Sequence, residues 1–200
     1  MANTKLIHTK SNTQLFAVES GFSLLEAIIA ITMFATLTLI AVPSFASIVG
    51  KTKVNVATKA MLDSLATARS ASLSHGAVVL ICQLSYTQPG KCVETPKRNA
   101  NWAATGWKVY LDLNQNNVYD ELDQTLSSKE ALNDISLVFN QSGRLRFFAN
   151  GSARSAGFLV CGKNSRLATH LKILHSGRTR VTKLTSKKNL EKCMTGIKSH

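Results

Sequence analysis

No C-x-x-C pair occurs among the four cysteines of this 200-residue chain, Cys82, Cys92, Cys161 and Cys193. Their spacing therefore suggests neither a zinc site nor a thioredoxin-like redox motif. G-x-S-x-G, the P-loop, H-E-x-x-H and the dinucleotide fingerprint are missing as well, so none of the reaction classes those motifs serve is indicated. His8, His75, His170, His175 and His200 are scattered rather than clustered. The chain is not expected to be an enzyme or to hold a cofactor. There are no internal repeats and no low-complexity linker. Acid is scarce: 11 Asp and Glu stand against 24 Lys and Arg, giving a formal net charge of +13. Acids dominate between Lys108 and Asp134, but from Gly143 to the end Glu191 is the single one. A surplus polarised in this way suits a polyanion, whether nucleic acid, anionic lipid or acidic polysaccharide.

What is present begins with "ESGFSLLEAIIAITMF", residues 19–34, in which Glu26 interrupts a run otherwise apolar to Val49. Residues 1–21 read as a leader and 22–49 as a transmembrane helix, since 22–42 alone can span a bilayer. Pro43 lies inside the run and should kink it. Beyond Lys51, Val54, Ala57, Met61, Leu65, Ala68 and Ser72 recur at three- and four-residue steps, which predicts an amphipathic continuation over 50–76 with Gly76 as terminator. Residues 77–200 then read as a β-rich head. Strands are expected at 77–84, 106–113, 134–139, 144–148, 157–161, 169–175 and 179–184, with turns at Asn140–Gly143, Asn150–Gly151 and Ser176–Gly177. The fold class is α+β: a long helix packed on an antiparallel sheet. An even cysteine count beyond a membrane segment suits two disulfides in an oxidising compartment. Sequence order favours Cys82–Cys92 and Cys161–Cys193, although four cysteines allow three pairings.

The stretch Gly21-Phe22-Ser23-Leu24-Leu25-Glu26 resembles the type III signal of type IV pilins and pseudopilins. The resemblance implies a prepilin peptidase as a partner, cleavage between Gly21 and Phe22, and methylation of the new amino terminus. It implies a protein held in the bacterial inner membrane by one span, its head in the periplasm, and later assembled with other pilins into a type IV pilus or pseudopilus. It also gives Glu26 a reason. A carboxylate in the first turns meets the positive end of the helix dipole, and in a filament it can pair with a neighbouring subunit's amino terminus. The head, through "WKVYLDLNQNNVYDELDQTL", "LVFNQSGRL" and "SGRTRV", is similar to the FimT/GspH branch of minor pilins.

"HSGRTRVTK", residues 175–183, carries the most chemistry. In a strand Arg178 and Arg180 share a face, about 6.6 Å apart along it, of the order of the spacing between successive phosphates of one nucleic-acid strand. Arginine's planar fork binds phosphate oxygens bidentately and keeps its charge. Gly177 permits a tight turn before them, and Lys183, Lys187 and Lys188 extend the track. FimT-type pilins resemble this in a G-R-x-R motif associated with DNA binding during natural transformation, which implies double-stranded DNA as a partner. Arg144 and Arg146, in "GRLR", repeat the alternation, and Lys163, Arg166 and Lys172 are further candidates for the same groove. "FNQSGRLRFF" also reads as a hairpin with Phe139, Leu145 and Phe147 turned to the core. Few aromatics lie near the arginines, which favours backbone contacts over base stacking. Charged arginines on an edge strand also serve simply to block unwanted pairing. A structural pseudopilin without DNA binding is the alternative function.

Asp112, Asn114, Asn116, Asp120 and Asp123 supply oxygens at calcium-loop positions. Asn117 replaces the glycine of such loops and Asp123 the bidentate glutamate, and a turn between strands explains the segment equally well, so no metal is expected. If the leader reading is right, the product from cells with an active prepilin peptidase begins at a methylated Phe22. Intact-mass analysis checks this, and a chain that keeps residues 1–21 refutes it.

Overall fold

The computed structural model describes residues 23–163 and 167–184, excluding the side chains at 39–44, 46 and 47. Gly21, Phe22, Arg166, Lys187, Lys188 and Cys193 lie outside the described residues. The chain divides into two units, Met1–Ala41 and Val42–His200, and one helix, α1 (Leu24–His75), runs from the first into the second. The backbone is helical through Pro43, whose side chain is outside the described set.

In the first unit α1 opens on a half-formed capping box. The Glu26 amide donates to Ser23 Oγ at 3.2 Å and the Ala27 amide to the Ser23 carbonyl at 3.1 Å. Serine at the start with glutamate three residues on is a local helix-start signal, so Glu26 also has a place in the helix's own chemistry. Thr32, Thr36 and Thr38 each donate their hydroxyl to the carbonyl three residues back, all at 2.8 Å. Those hydroxyls need no water, as apolar surroundings require. Leu24, Leu25, Ile28, Ile31, Phe34 and Leu37 are exposed. Among the described residues no helical stretch is long and apolar enough to cross a membrane; the expected span, 22–49, includes side chains outside them.

The second unit holds the core. Val54, Ala57, Met61, Leu65, Ala68 and Ser72, the stripe expected from sequence, are all at most 2% exposed. They pack on two four-stranded antiparallel sheets. The strands are β1 (Val79–Gln83), β2 (Trp107–Leu111), β3 (Gln124–Lys129), β4 (Ile135–Phe139), β5 (Leu145–Phe147), β6 (Ala156–Gly162), β7 (Ala168–Ile173) and β8 (Thr179–Leu184). One sheet has the order β3-β2-β1-β5 and the other β4-β6-β7-β8. Alternation places Val79, Ile81, Trp107, Val109, Leu145 and Phe147 of the first sheet in the same core as Leu137, Phe139, Phe158, Val160, Leu171 and Ile173 of the second. Trp102, on a short 3-10 turn, fills the space beside Phe139 and Phe158, its ring 4.9 and 5.1 Å from theirs. Trp107 Nε1 donates to Ser64 Oγ at 2.9 Å, which satisfies the polar atoms where β2 meets the helix.

Two features depart from the expectations. β3 is an additional strand. It is polar and largely exposed, and an edge strand of that kind has no apolar alternation to reveal it. More important, "FNQSGRLRFF" is not a hairpin. β4 pairs with β6, and β5 pairs with β1, so residues 140–144 carry the chain from one sheet to the other. Phe139, Leu145 and Phe147 are nonetheless core residues, as expected. Long-range packing, not local turn chemistry, selects the partner strand.

The Cys82–Cys92 disulfide is present and fastens the 84–93 loop to β1. Cys161 is also disulfide-bonded, while its expected partner Cys193 falls outside the described residues. Met61→Ala should cost about 2–5 kcal/mol, whereas Leu62→Ala, at a half-buried site, should cost clearly less. Urea unfolding of the two variants in non-ionic detergent measures the difference.

Candidate nucleic-acid interface

β8 is the outer strand of the second sheet. Its pairing with β7 sets Arg180 opposite Lys172 and Thr182 opposite His170. Cross-strand partners share a face, so Arg180 and Lys172 stand together on the face turned from the core, and both are exposed. Arg178 lies two residues before Arg180 and shares that face by alternation. The turn between the strands is closed by the Leu174 amide donating to the Arg178 carbonyl and the Gly177 amide donating to the Leu174 carbonyl, each at 2.9 Å. Burial, reinforced by the Lys172 ammonium, lowers the His170 pKa, so His170 is neutral at pH 7 and adds no charge. Among the described residues Lys53 and Asp134 form an ion pair at 2.7 Å, and no carboxylate neutralises Arg178, Arg180 or Lys172.

Lys183 does not join them. It pairs with Thr169, whose face also carries Leu171 and Ile173, so it points to the opposite side of the sheet from Arg178 and Arg180. A three-residue step from Arg180 could have shown this in the sequence.

Gly177 has a structural reason independent of any ligand. Its φ is +72°, and a Cβ there would lie 2.0 Å from the Gly151 carbonyl oxygen. Gly151, with φ +73°, is itself pressed against the Leu73 side chain, and Arg69 Nε donates to its carbonyl at 3.4 Å. The Ala153 amide donates to the His175 carbonyl at 2.9 Å. The end of α1, the turn at 148–153 and the β7–β8 turn therefore form one stack, and that stack fixes where Arg178 emerges.

Arg146 belongs to the other sheet, and Arg144 directly precedes its strand β5. Arg146 pairs with Leu80 on the face of β1 and β5 turned from the core. Arg144 Nη2 donates to the Val93 carbonyl at 3.3 Å, whereas its Nε is buried without a partner among the described residues. Burial pushes the nearby Tyr110 hydroxyl far above its ordinary pKa, although the Arg144 and Arg146 charges pull the other way. Arg144, Arg146 and Arg154 line a cleft of about 410 Å³ together with Leu80, Asn117 and Phe148. Sequence reading did not include Arg154 in a site, and it missed Phe148 as an aromatic neighbour of Arg146. Their adjacency depends on the Phe148–Ala153 turn, although the Phe148–Arg146 spacing in a strand was available as a signal.

The Asp112–Asp123 segment folds as a chain of side-chain-capped turns. Asp120 Oδ2 accepts from the Asn114 and Asn116 amides at 2.8 and 2.7 Å, and Asp123 accepts from the backbone of Leu113 and Asp120 at 3.1 Å each. Asn117 takes the left-handed conformation at φ +63°. These hydrogen bonds, from Asn114 first, hold the Asp120 pKa low, while burial and then the neighbouring Asp120 and Asp112 carboxylates raise that of Asp123. Among the described residues no cluster of three or more metal-ligating side chains forms.

Comparison with known proteins gives a family. A family model described as type II transport protein GspH matches residues 57–177. The chain belongs to the GspH family. The match runs from the buried stripe of α1 to Gly177. Crystal structures of the type IV minor pilin FimU of Pseudomonas aeruginosa in two crystal forms are similar at TM-scores of 0.49 and 0.47. Identities are 16% and 17%, covering 66% and 64% of this chain and 90% and 91% of that one. No curated protein matches the chain.

Gly177→Ala should lose about 3 kcal/mol or more, combining a left-handed backbone with a blocked approach. Gly143→Ala, at φ +80° with open space around it, should lose only about 1–2 kcal/mol. Chemical denaturation of both variants checks this ordering, and equal losses would remove the stack as the reason for Gly177.

Proposed function

We propose that this GspH-family chain is a FimT-type minor pilin that binds double-stranded DNA through phosphate contacts and assists its uptake in natural transformation. The carrying observation is the exposed group formed by Arg178 and Arg180 at the outer strand β8 with Lys172 beside them on β7, without carboxylate partners among the described residues. Three cations on one exposed edge suit the phosphate backbone of a duplex. No base-reading helix accompanies them among the described residues, so the binding has little sequence preference. Arg144 and Arg146 contribute from the other sheet and Lys187 and Lys188 from the tail, while Lys183, on the opposite face of β8, adds only to the long-range positive field.

In this reading the leader ending at Gly21 is removed by prepilin peptidase. The helix from Phe22 anchors the chain in the inner membrane with the head in the periplasm. Glu26 then pairs with a neighbour's amino terminus as the subunit enters a filament with other pilins. A second reading, a structural pseudopilin of a type II secretion system, is favoured by the family's description.

Titration of labelled duplex against the full chain in non-ionic detergent separates the two. DNA binding of this kind weakens steeply with salt. Arg178→Gln together with Arg180→Gln should weaken it and make the slope of log affinity against log salt shallower by about 2, one unit for each phosphate that is no longer neutralised. Unchanged affinity and slope, with the fold intact by circular dichroism, would remove Arg178 and Arg180 as the site, and absence of duplex binding by the unmodified chain would leave the structural reading.

A further inference from the structure

We propose that the cleft beside β5 is a separate subsite for one unpaired nucleotide, its phosphate held by Arg144, Arg146 and Arg154 and its base laid against Phe148. The inference rests on the nucleic-acid reading above but concerns a different sheet and a different form of the ligand.

The charge pattern calls for an anion. Three guanidinium groups line one cleft, and none of its lining residues is acidic. Arg144 is anchored at one end by its bond to the Val93 carbonyl and leaves a buried Nε donor unmatched. A buried donor without an acceptor is costly, and an anion in the cleft relieves it. Arginine forks suit a phosphate, which accepts from several N–H groups at once.

The apolar half narrows the class. Phe148 is 39% exposed although it directly follows the fully buried Phe147. The Arg146 guanidinium lies 5.7 Å from its ring centroid. A cation beside an open aromatic face is the pairing that holds a base and its phosphate together. The backbone that carries the ring is held in place, since the Phe148 amide donates to the Ser152 carbonyl and the Gly151 amide to the Phe148 carbonyl, each at 2.8 Å. Leu80 forms an apolar floor, and Asn117 brings a polar group from the neighbouring loop. The volume of about 410 Å³ is enough for a single nucleotide and far too small for a duplex. Inside a duplex both faces of each base are covered by neighbours, so only a duplex end or a single strand can offer one to the ring. The exposed edge at Arg178 and Arg180 imposes no such condition.

The test uses the full chain in non-ionic detergent, with fluorescence anisotropy of a short labelled oligothymidylate and of a labelled blunt duplex. Phe148→Ala should weaken oligothymidylate binding about tenfold and leave duplex binding within about twofold, and Phe148→Tyr should restore the single-strand affinity. Arg146→Gln with Arg154→Gln should weaken the oligothymidylate more than the duplex. Arg178→Gln with Arg180→Gln should do the reverse. If the arginine variants act but Phe148→Ala does not, the cleft is a plain anion site and the nucleotide proposal fails. If the wild type binds duplex but not oligothymidylate, the proposal fails while the reading of β8 stands. Binding of oligothymidylate that depends on Phe148, with a duplex affinity indifferent to Arg178 and Arg180, would uphold the cleft and remove β8.

Discussion

Burial of one helical stripe governs the architecture of the head. Val54, Ala57, Met61, Leu65 and Ala68 belong to one core with both sheets. Three strands of each sheet, β1, β2 and β5 in one and β4, β6 and β7 in the other, present aliphatic and aromatic side chains to the same centre. Both sheets share that one helix. The chain crosses between sheets after Phe139, so that Phe139 and Leu145 meet the same core from different layers.

The same constraint places the arginines. The stack from Leu73 and Arg69 through Gly151 to Gly177 transmits the position of the helix end to the β7–β8 turn. Arg178 and Arg180 are therefore presented at an outer strand whose neighbour β7 turns Thr169, Leu171 and Ile173 to the core. An exposed row of cations there discourages pairing with other strands and at the same time offers a surface to phosphate. The two effects use the same charge and do not compete.

The fold was largely legible. Every helical position that the three- and four-residue spacing picked out is buried, and alternation located each strand except β3, because both signals come from one-sided burial that local sequence records directly. β3 escaped because an exposed edge strand is held by hydrogen bonds with no apolar pattern to mark them. The hairpin reading of residues 139–148 failed for a related reason. Strong turn residues specify that the chain reverses, but which strand it then joins depends on the volume to be filled. Asn117, by contrast, was readable as a left-handed residue from its own side chain.

The candidate site was legible in part. The residue types and the shared face of Arg178 and Arg180 follow from composition and a period of two. The opposite placement of Lys183 follows from the same period. Separation of Arg144 and Arg146 into another sheet, their proximity to Arg154 and Phe148, and the need for glycine at 177 were decided only by the tertiary structure. The physical reason is distance along the chain. Sequence determines what each residue can do and which way it faces within its own element, whereas contacts such as Gly151 with Gly177 or Arg144 with Val93 exist only because a common core brings remote segments together.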